Sequence, residues 1–187
     1  MKMNAKHNTA SVLIISFCVI ISLFSCHTAT NAPQQPDLTT PPTDSMKEAL
    51  INNNRKGMQD ESADIEAFAK RRNWDMEATG TGLRYQIYKQ GTGNATPKKG
   101  DFVSVAFMVY LLDGTLCYKY DIDKPYLFQV SKSKVARGLE EGVMKMRVGD
   151  RARLLCPKHL GYGLVGDDKK IPANSILFYD VELLSIK

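Results

Sequence analysis

Histidine and cysteine are scarce in this chain, which contains 3 histidines and 4 cysteines among 187 residues. The histidines, at positions 7, 27 and 159, are far apart, and no CxxC pair is present. No group of cysteines and histidines has the spacing of a zinc site. The sequence therefore predicts neither a metal site nor a cofactor.

A strong charge of either sign is also lacking. The formal net charge is +5, and it becomes +3 without Lys2 and Lys6, which lie in a segment that we expect to be removed. The other basic residues alternate with acidic ones, and no nucleic-acid-binding motif occurs. We therefore expect no nucleic-acid partner. Apolar residues make up 43% of the chain, which is ordinary for a globular protein, so the length allows one domain with extensions.

No hydrophobic run reaches the roughly 20 residues that are needed to span a bilayer. The run from Ala10 to Phe24 follows two lysines and contains no charge, which favours a secretory signal peptide over a short membrane anchor. The tetrapeptide LFSC at residues 23–26 resembles the lipobox of bacterial lipoproteins. This resemblance implies that residues 1–25 are a lipoprotein signal peptide and that Cys26 becomes lipidated, which anchors the protein through acyl chains.

Two cysteines remain in the part of the chain that we expect to fold, Cys117 and Cys156. Outside the cytoplasm a disulfide between them is permitted. The alternative is that both are buried free thiols that pack as small apolar residues.

Two segments lie between the signal peptide and the C-terminal domain. Residues 26–44 contain four prolines and many small polar residues, which predicts a flexible tether. Residues 45–76 carry apolar residues at helical spacing, including Ile65 and Phe68, and predict a helical extension with Gly57 as a candidate break. We expect this extension to brace the following domain or to pair with a second copy of the chain.

Residues 77–187 change to a period of two, which predicts strands. The dipeptide Asp113-Gly114 predicts a hairpin. One short helical stretch follows, with Val135, Leu139, Val143 and Met146 on one face. Gly138 and Gly142 interrupt it, so it needs support from the rest of the fold. The pattern predicts an α+β domain in which one short helix lies among five to six antiparallel strands.

Several motifs occur here in a specific order: DG at 113–114, KPYLF at 124–128, VARGLEEGVMKMRVGDRA at 135–152, GYG at 161–163, IP at 171–172 and DVELL at 180–184. Their order and spacing resemble the FKBP family of peptidyl-prolyl cis-trans isomerases over about residues 82–187. The resemblance implies an antiparallel half-barrel sheet wrapped around the short helix. It also implies isomerisation of X–Pro bonds in an apolar, aromatic-lined pocket without a charged triad.

The resemblance assigns roles to single residues. The catalytic positions are Tyr162, whose hydroxyl binds substrate, Ala136, whose backbone N–H binds the substrate carbonyl, and Tyr118. The substrate-binding positions are Phe107, Cys117, Tyr126, Phe128, Val135, Leu139, Ile171 and Tyr179. From the pattern alone, Phe128, Leu139 and Tyr179 fit core packing equally well, whereas a large aromatic between glycines, such as Tyr162, favours function.

The chain departs from the family pattern at four positions. Phe107 replaces a tyrosine, Cys117 a phenylalanine, Tyr118 an aspartate and Leu139 a tryptophan. The loop that leads to Pro125 is also one residue shorter, and an alternative register places Tyr120 and Asp121 at the Phe-Asp positions. The four charged residues before Ile171, at positions 167–170, are predicted to be a solvated run, with an influence on substrate choice as the alternative.

The sequence supports two functional hypotheses. The first is a membrane-anchored prolyl isomerase that assists the folding of exported proteins, whose partners are proline-containing clients. The second is a weakly catalytic or non-catalytic FKBP-like binding module or chaperone that serves a membrane complex, since lipoproteins of this type resemble some that are associated with gliding motility. His27 follows the lipidated cysteine, so by resemblance to sorting rules we expect the cell envelope, at the outer membrane facing the periplasm. The chain is expected to be a monomer, or a dimer through its N-terminal helices.

Overall fold

The computed structural model describes residues 43–187, and the predicted signal peptide and most of the predicted tether lie outside the described residues. The first element is a helix, α1, from Asp44 to Lys70. Gly57 lies inside α1 and does not divide it. No helix in the described part of the chain is long and apolar enough to cross a membrane.

The C-terminal third of α1 packs on the rest of the domain. Ile65, Phe68 and Ala69 are buried in a cluster with Leu155, and Trp74 and Phe178 pack against it. The three aromatic rings of this cluster are in mutual contact, with centroids 5.0–6.1 Å apart. Buried Glu61 adds a polar contact, because its carboxylate accepts the backbone N–H of Lys158 at 2.6 Å. The N-terminal half of α1 has exposed Met46, Leu50, Ile51 and Met58.

Seven antiparallel strands form one open sheet. They are β1 (Glu77–Ala78), β2 (Arg84–Lys89), β3 (Phe102–Leu111), β4 (Leu116–Tyr120), β5 (Tyr126–Gln129), β6 (Arg151–Cys156) and β7 (Leu177–Ile186). Their order is β1-β2-β6-β7-β3-β4, and β5 pairs with the N-terminal half of β3. The prediction of an antiparallel α+β fold with one short helix is confirmed, although the sheet has one more strand, the two-residue β1, than the predicted five to six.

The alternating apolar residues of β3 and β7 form the centre of the core. Val103, Val105, Phe107 and Val109 of β3 are buried, and so are four alternating residues of β7: Leu177, Tyr179, Val181 and Leu183. The register pairs Phe107 with Val181 and Val109 with Tyr179. Because side chains two positions apart share a face of a strand, this register places Phe107, Val109 and Tyr179 on one face of the sheet.

The short helix, α2 (Arg137–Val143), packs on this core. Leu139, Val143 and Met146 are buried among the strand residues, so the sheet supplies the support that the helix lacks alone. Both helical glycines serve close packing. A Cβ atom on Gly138 would overlap the sulfur of Cys156, and one on Gly142 would lie 2.7 Å from Leu154 Cδ2.

The two cysteines of the domain, Cys117 and Cys156, are buried free thiols. Burial raises the pKa of Cys156 to about 12, so its sulfur stays protonated and packs as a small apolar group. After β6, a turn of 3-10 helix from Lys158 to Leu160 leads into a loop that returns to β7.

Candidate functional site

A cavity of about 270 Å³ opens between α2, β3, β4 and the loop before β7. Six aromatic residues form most of its wall: Phe107, Tyr118, Tyr120, Tyr126, Tyr162 and Tyr179. Four smaller apolar residues, Val109, Val135, Ala136 and Leu139, and three charged residues, Lys134, Asp167 and Lys169, complete it. The lining therefore combines aromatic and aliphatic surface with hydroxyl and charged groups.

The aromatic rings hold one another in place. Phe107 lies 4.9 Å from Tyr120 and 5.9 Å from both Tyr126 and Tyr179, measured between ring centroids. Tyr120 and Tyr126 also meet in a T-shaped contact at 4.9 Å. Edge and tilted contacts of this kind stabilise aromatic pairs by about 1 kcal/mol beyond area burial. The cavity wall is therefore built before any ligand enters.

The local register explains why β4 supplies two tyrosines to the cavity. Tyr118 pairs with Val109, and Tyr120 pairs with Phe107, so both face the same side as their partners on β3. An irregularity in the pairing follows between Val109 and Tyr110. Tyr120 is not among the residues predicted for the site, because its position in the wall depends on this pairing. The sequence offers Tyr120 and Asp121 only as an alternative alignment to the Phe-Asp positions.

Eight of the eleven residues predicted for the pocket line this cavity. They are Phe107, Tyr118, Tyr126, Val135, Ala136, Leu139, Tyr162 and Tyr179. The other three, Cys117, Phe128 and Ile171, are buried in the core and are not part of the cavity wall. The thiol of Cys117 lies 3.6 Å from the carbonyl oxygen of Lys170, and the ring of Phe128 lies behind that of Tyr126, at 6.2 Å. Cys26 lies outside the described residues.

Five residues of the wall were not predicted as site residues: Val109, Tyr120, Lys134, Asp167 and Lys169. Val109 lies two residues after Phe107, and Lys134 directly precedes Val135, so strand alternation and adjacency are signals that could have found them. Lys169 and Asp167 belong to the predicted solvated run. Lys169 is exposed, as expected, but Asp167 is not simply solvated.

Asp167 is held by several hydrogen bonds. Its Oδ1 accepts the backbone N–H groups of Lys169, Lys170 and Ile171 at 3.0, 2.9 and 2.7 Å, and its Oδ2 accepts the hydroxyl of Tyr118. Burial raises the pKa of Asp167, but the bonds from Tyr118 and the three amides outweigh it and hold the pKa at about 2. The same bond, followed by partial burial, raises the pKa of Tyr118 to about 12. At neutral pH the carboxylate is charged and the phenol is neutral.

Several hydrogen-bond donors of the cavity wall have no protein partner. Within residues 43–187, the hydroxyls of Tyr120, Tyr126 and Tyr162 make no hydrogen bond, and neither does the backbone N–H of Ala136. Burial, and next the negative charge of Asp167, raises the pKa of Tyr162, so its hydroxyl remains a donor at neutral pH. The arrangement is suited to an apolar ring with an adjacent carbonyl oxygen.

In the described part of the chain, no group of three or more His, Cys, Asp or Glu side chains is arranged to hold a metal ion. A second, smaller cavity of about 180 Å³ involves Tyr88, Arg151 and Asp180, and most of its polar groups pair within residues 43–187, although Arg151 Nε has no hydrogen-bond partner there. Tyr88 donates to Asp180 at 2.7 Å, and Arg151 forms an ion pair with Glu182 at 2.8 Å. The first cavity is therefore the stronger candidate for ligand binding.

Comparisons with known proteins point to the same part of the chain. A family model described as FKBP-type peptidyl-prolyl cis-trans isomerase matches residues 93–184. The peptidyl-prolyl cis-trans isomerase FKBP1A of Xenopus laevis is 39% identical over 107 residues, which cover 57% of this chain and 99% of that relative. The peptidyl-prolyl cis-trans isomerase Fkbp12 of Drosophila melanogaster is 42% identical over 98 residues, which cover 52% of this chain and 91% of that relative. The FK506-binding protein 1A of Aspergillus fumigatus is 37% identical over 106 residues, which cover 56% of this chain and 95% of that relative.

Proposed function

The chain belongs to the FKBP-type peptidyl-prolyl cis-trans isomerase family, and on this premise we propose that the 270 Å³ cavity is where an X–Pro bond of a client protein is isomerised. The observation that carries the proposal is the combination of an aromatic, apolar wall with donors that have no protein partner, above all the Tyr162 hydroxyl and the Ala136 N–H. A proline ring would enter against Leu139, Phe107 and Tyr179. The carbonyl oxygens beside it would then meet these donors.

The physical task is to lower a rotational barrier. Rotation about a peptide bond costs about 18–20 kcal/mol, because the twisted amide loses its resonance. The twisted amide is also less polar than the planar one, so an apolar wall disfavours it less than it disfavours the planar form. Fixed donors that fit the twisted geometry stabilise it further, and only this difference between transition state and ground state accelerates the reaction. No nucleophile or proton transfer is needed.

A substitution pair tests the role of the cavity. Tyr162→Phe removes one unpaired donor and keeps the ring, so kcat/KM for a proline tetrapeptide should fall about tenfold, the value of one hydrogen bond. Tyr110→Phe is the matched control, because Tyr110 stacks on Phe178 in the cluster under α1 and does not line the cavity. Equal kcat/KM values for the two variants would contradict the proposal.

A second function has support from the departures at Phe107, Leu139 and Tyr118. A cavity with these replacements suits a binding module or chaperone that holds client segments with little catalysis, for example within a membrane complex of the gliding-motility type. The two functions separate in one titration of the domain with a proline peptide. Saturable binding together with an uncatalysed isomerisation rate supports the binding module, whereas binding with an accelerated rate supports the enzyme.

We also propose that the protein is a lipoprotein of the cell envelope, anchored through Cys26 at the outer membrane and facing the periplasm, where it assists the folding of exported proteins. The support is the LFSC motif after a charge-free apolar run and the proline-rich residues that follow. Mass spectrometry of the full-length protein, expressed in a bacterium, tests this. An acylated Cys26 at the new N-terminus is expected, and the Cys26→Ser variant should leave the membrane fraction. An unmodified Cys26 with residues 1–25 still attached would contradict it.

For the assembly we propose a monomer in which α1 braces the domain. The support is that the C-terminal third of α1 is already buried against Leu155 and Phe178 of the same chain. A dimer through the N-terminal half of α1 is the alternative, because Met46, Leu50, Ile51 and Met58 are exposed there. Sedimentation of residues 43–187 decides between them, since a concentration-dependent dimer that Leu50→Glu and Ile51→Glu dissociate would overturn the monomer.

A further inference from the structure

Residues 163–172, here called the flap, precede β7 and contribute Asp167 and Lys169 to the cavity wall. The flap is irregular, and Asp168 has a positive φ of +58°. A non-glycine residue rarely adopts positive φ without a compensating interaction. The compensating interactions at this point converge on one carboxylate.

That carboxylate belongs to Asp167. It accepts four hydrogen bonds, three from the flap's own backbone and one from the Tyr118 hydroxyl on β4. The backbone N–H of Asp167 also donates to the carbonyl oxygen of Ile171 at 3.0 Å, which closes the turn. A carboxylate offers about four lone-pair sites, and the chain itself occupies most of them, with three amides on Oδ1 and the Tyr118 hydroxyl on Oδ2.

Tyr118 connects this turn to the cavity. Its ring lines the cavity beside Val109, and its hydroxyl donates to Asp167, which lines the same cavity. The ammonium group of Lys170 lies 5.2 Å from the centroid of the same ring. Two elements far apart in sequence, β4 and the flap, are therefore joined at the cavity wall through one phenol–carboxylate bond.

We propose that Asp167 is a positioning residue of the isomerase site, which fixes the flap and the Tyr118 ring in the geometry that receives the proline. This role rests on the proposed function of the cavity. It differs from a role in contacting substrate, because the carboxylate already accepts four hydrogen bonds from the chain itself. The benefit is preorganisation, since a loop that is ordered before binding does not lose conformational entropy when the client arrives.

The proposal predicts a specific pattern among variants of residues 43–187. Asp167→Asn keeps the size of the side chain but removes the charge that strengthens all four bonds, so kcat/KM should fall about tenfold. Tyr118→Phe keeps the ring and removes only the bond to Asp167, so kcat/KM should also fall, and the double variant should lose no more than Asp167→Asn alone, because the Tyr118 bond is already weakened there. Asp168→Asn is the matched control, because it removes the same charge from the neighbouring residue, whose side chain is exposed.

Two further measurements separate positioning from mere stability. The melting temperature of each variant is recorded, and kcat/KM is measured well below it, so that a loss of fold does not appear as a loss of catalysis. Hydrogen exchange of the Lys169, Lys170 and Ile171 amides should become faster in Asp167→Asn than in Asp168→Asn.

The possible outcomes are distinct. An Asp167→Asn variant with the same kcat/KM as Asp168→Asn overturns the positioning role, and so does a loss in the double variant that equals the product of the single losses. An unsubstituted chain that shows only the uncatalysed rate overturns the proposed function, and this role with it.

Discussion

Gly142 of α2 lies directly against Leu154 of β6, so closely that a Cβ atom on the glycine would be 2.7 Å from Leu154 Cδ2. Leu154 is fully buried. The glycine therefore allows the helix to approach the sheet, and this approach places Leu139 at the cavity. The glycines that weaken α2 as a helix are the residues that allow it to build the site.

A pair of glycine substitutions tests this relationship. Gly142→Ala should lower the free energy of unfolding by about 1–3 kcal/mol, because overpacking against Leu154 outweighs the gain in helix propensity. Gly57→Ala should raise it by about 0.5–1 kcal/mol, since Gly57 is helical and has no atom within 4 Å of the added Cβ. Urea denaturation followed by circular dichroism measures both. A Gly142→Ala variant as stable as Gly57→Ala would show that the contact is not tight.

The packing of α1 on the domain gives a second prediction. Phe68→Ala should lower the free energy of unfolding by about 3 kcal/mol, because Phe68 is 2% exposed and contacts Trp74 and Phe178. The fluorescence of Trp74, the single tryptophan of the chain, reports the transition in urea. Leu50→Ala is the control, and a change below about 0.5 kcal/mol is expected because Leu50 is 56% exposed. Equal effects would mean that α1 does not brace the domain.

The bond between Tyr118 and Asp167 predicts a specific response to pH. Asp167 has a pKa of about 2, below its usual value near 4. Its contribution to the stability of the folded state is therefore present above about pH 4 and is lost as the pH falls through 2. Tyr118 has a pKa of about 12, above its usual value of about 10. Its contribution to the stability of the folded state is therefore present below about pH 10 and is lost as the pH rises through 12. Between these limits the bond should be insensitive to pH. Carbon NMR of the Asp167 carboxyl checks this, and a titration midpoint near pH 4 would contradict it.

Charges at the cavity predict a preference among substrates. Lys134 and Lys169 line the cavity, and neither is within 4 Å of a carboxylate oxygen in residues 43–187. The only acidic group of the wall, Asp167, already accepts four hydrogen bonds. An attraction of about 1 kcal/mol at a solvated site should make kcat/KM about fivefold higher for a Glu-Pro peptide than for a matched Lys-Pro peptide.

The same preference should be lost when the two lysines are removed. The double variant Lys134→Ala, Lys169→Ala should treat both peptides alike, whereas Lys98→Ala, Lys99→Ala removes equal charge away from the cavity and should keep the preference. High salt should weaken the preference in the unsubstituted chain. A preference that survives both the loss of Lys134 and Lys169 and high salt would contradict this account.

The sequence allowed most of the fold and much of the site to be predicted, for reasons that are local. Alternation identified the buried face of β3 and β7, and the motif order identified α2 and its surroundings. Tyr162 was singled out because an aromatic between two glycines is poorly explained by packing, and it does line the cavity. Leu139 and Tyr179 are core and cavity wall at once, and their predicted contact with substrate stays a prediction.

The remaining site residues depend on contacts between distant segments. Tyr120 lines the cavity only because β4 pairs with β3 in one register, and the sequence allows more than one. Asp167 stands in a charged stretch whose composition indicates a solvated loop, and only the fold brings Tyr118 within its reach. An aspartate in a loop often accepts backbone amides two to four residues later, and this tendency is the one sequence signal that marks Asp167.

The central claim is that the cavity between α2, β3 and β4 isomerises an X–Pro bond, and NMR of residues 43–187 with a proline tetrapeptide tests it most directly. One sample gives both the amide chemical-shift changes of the protein and the cis–trans exchange rate of the peptide. The amide signals of Ala136 and Tyr162 should shift most, and the cis–trans exchange of the peptide should be faster than without protein. Shifts centred on Tyr88, Arg151 and Asp180, or an exchange rate equal to that of the free peptide, would contradict it.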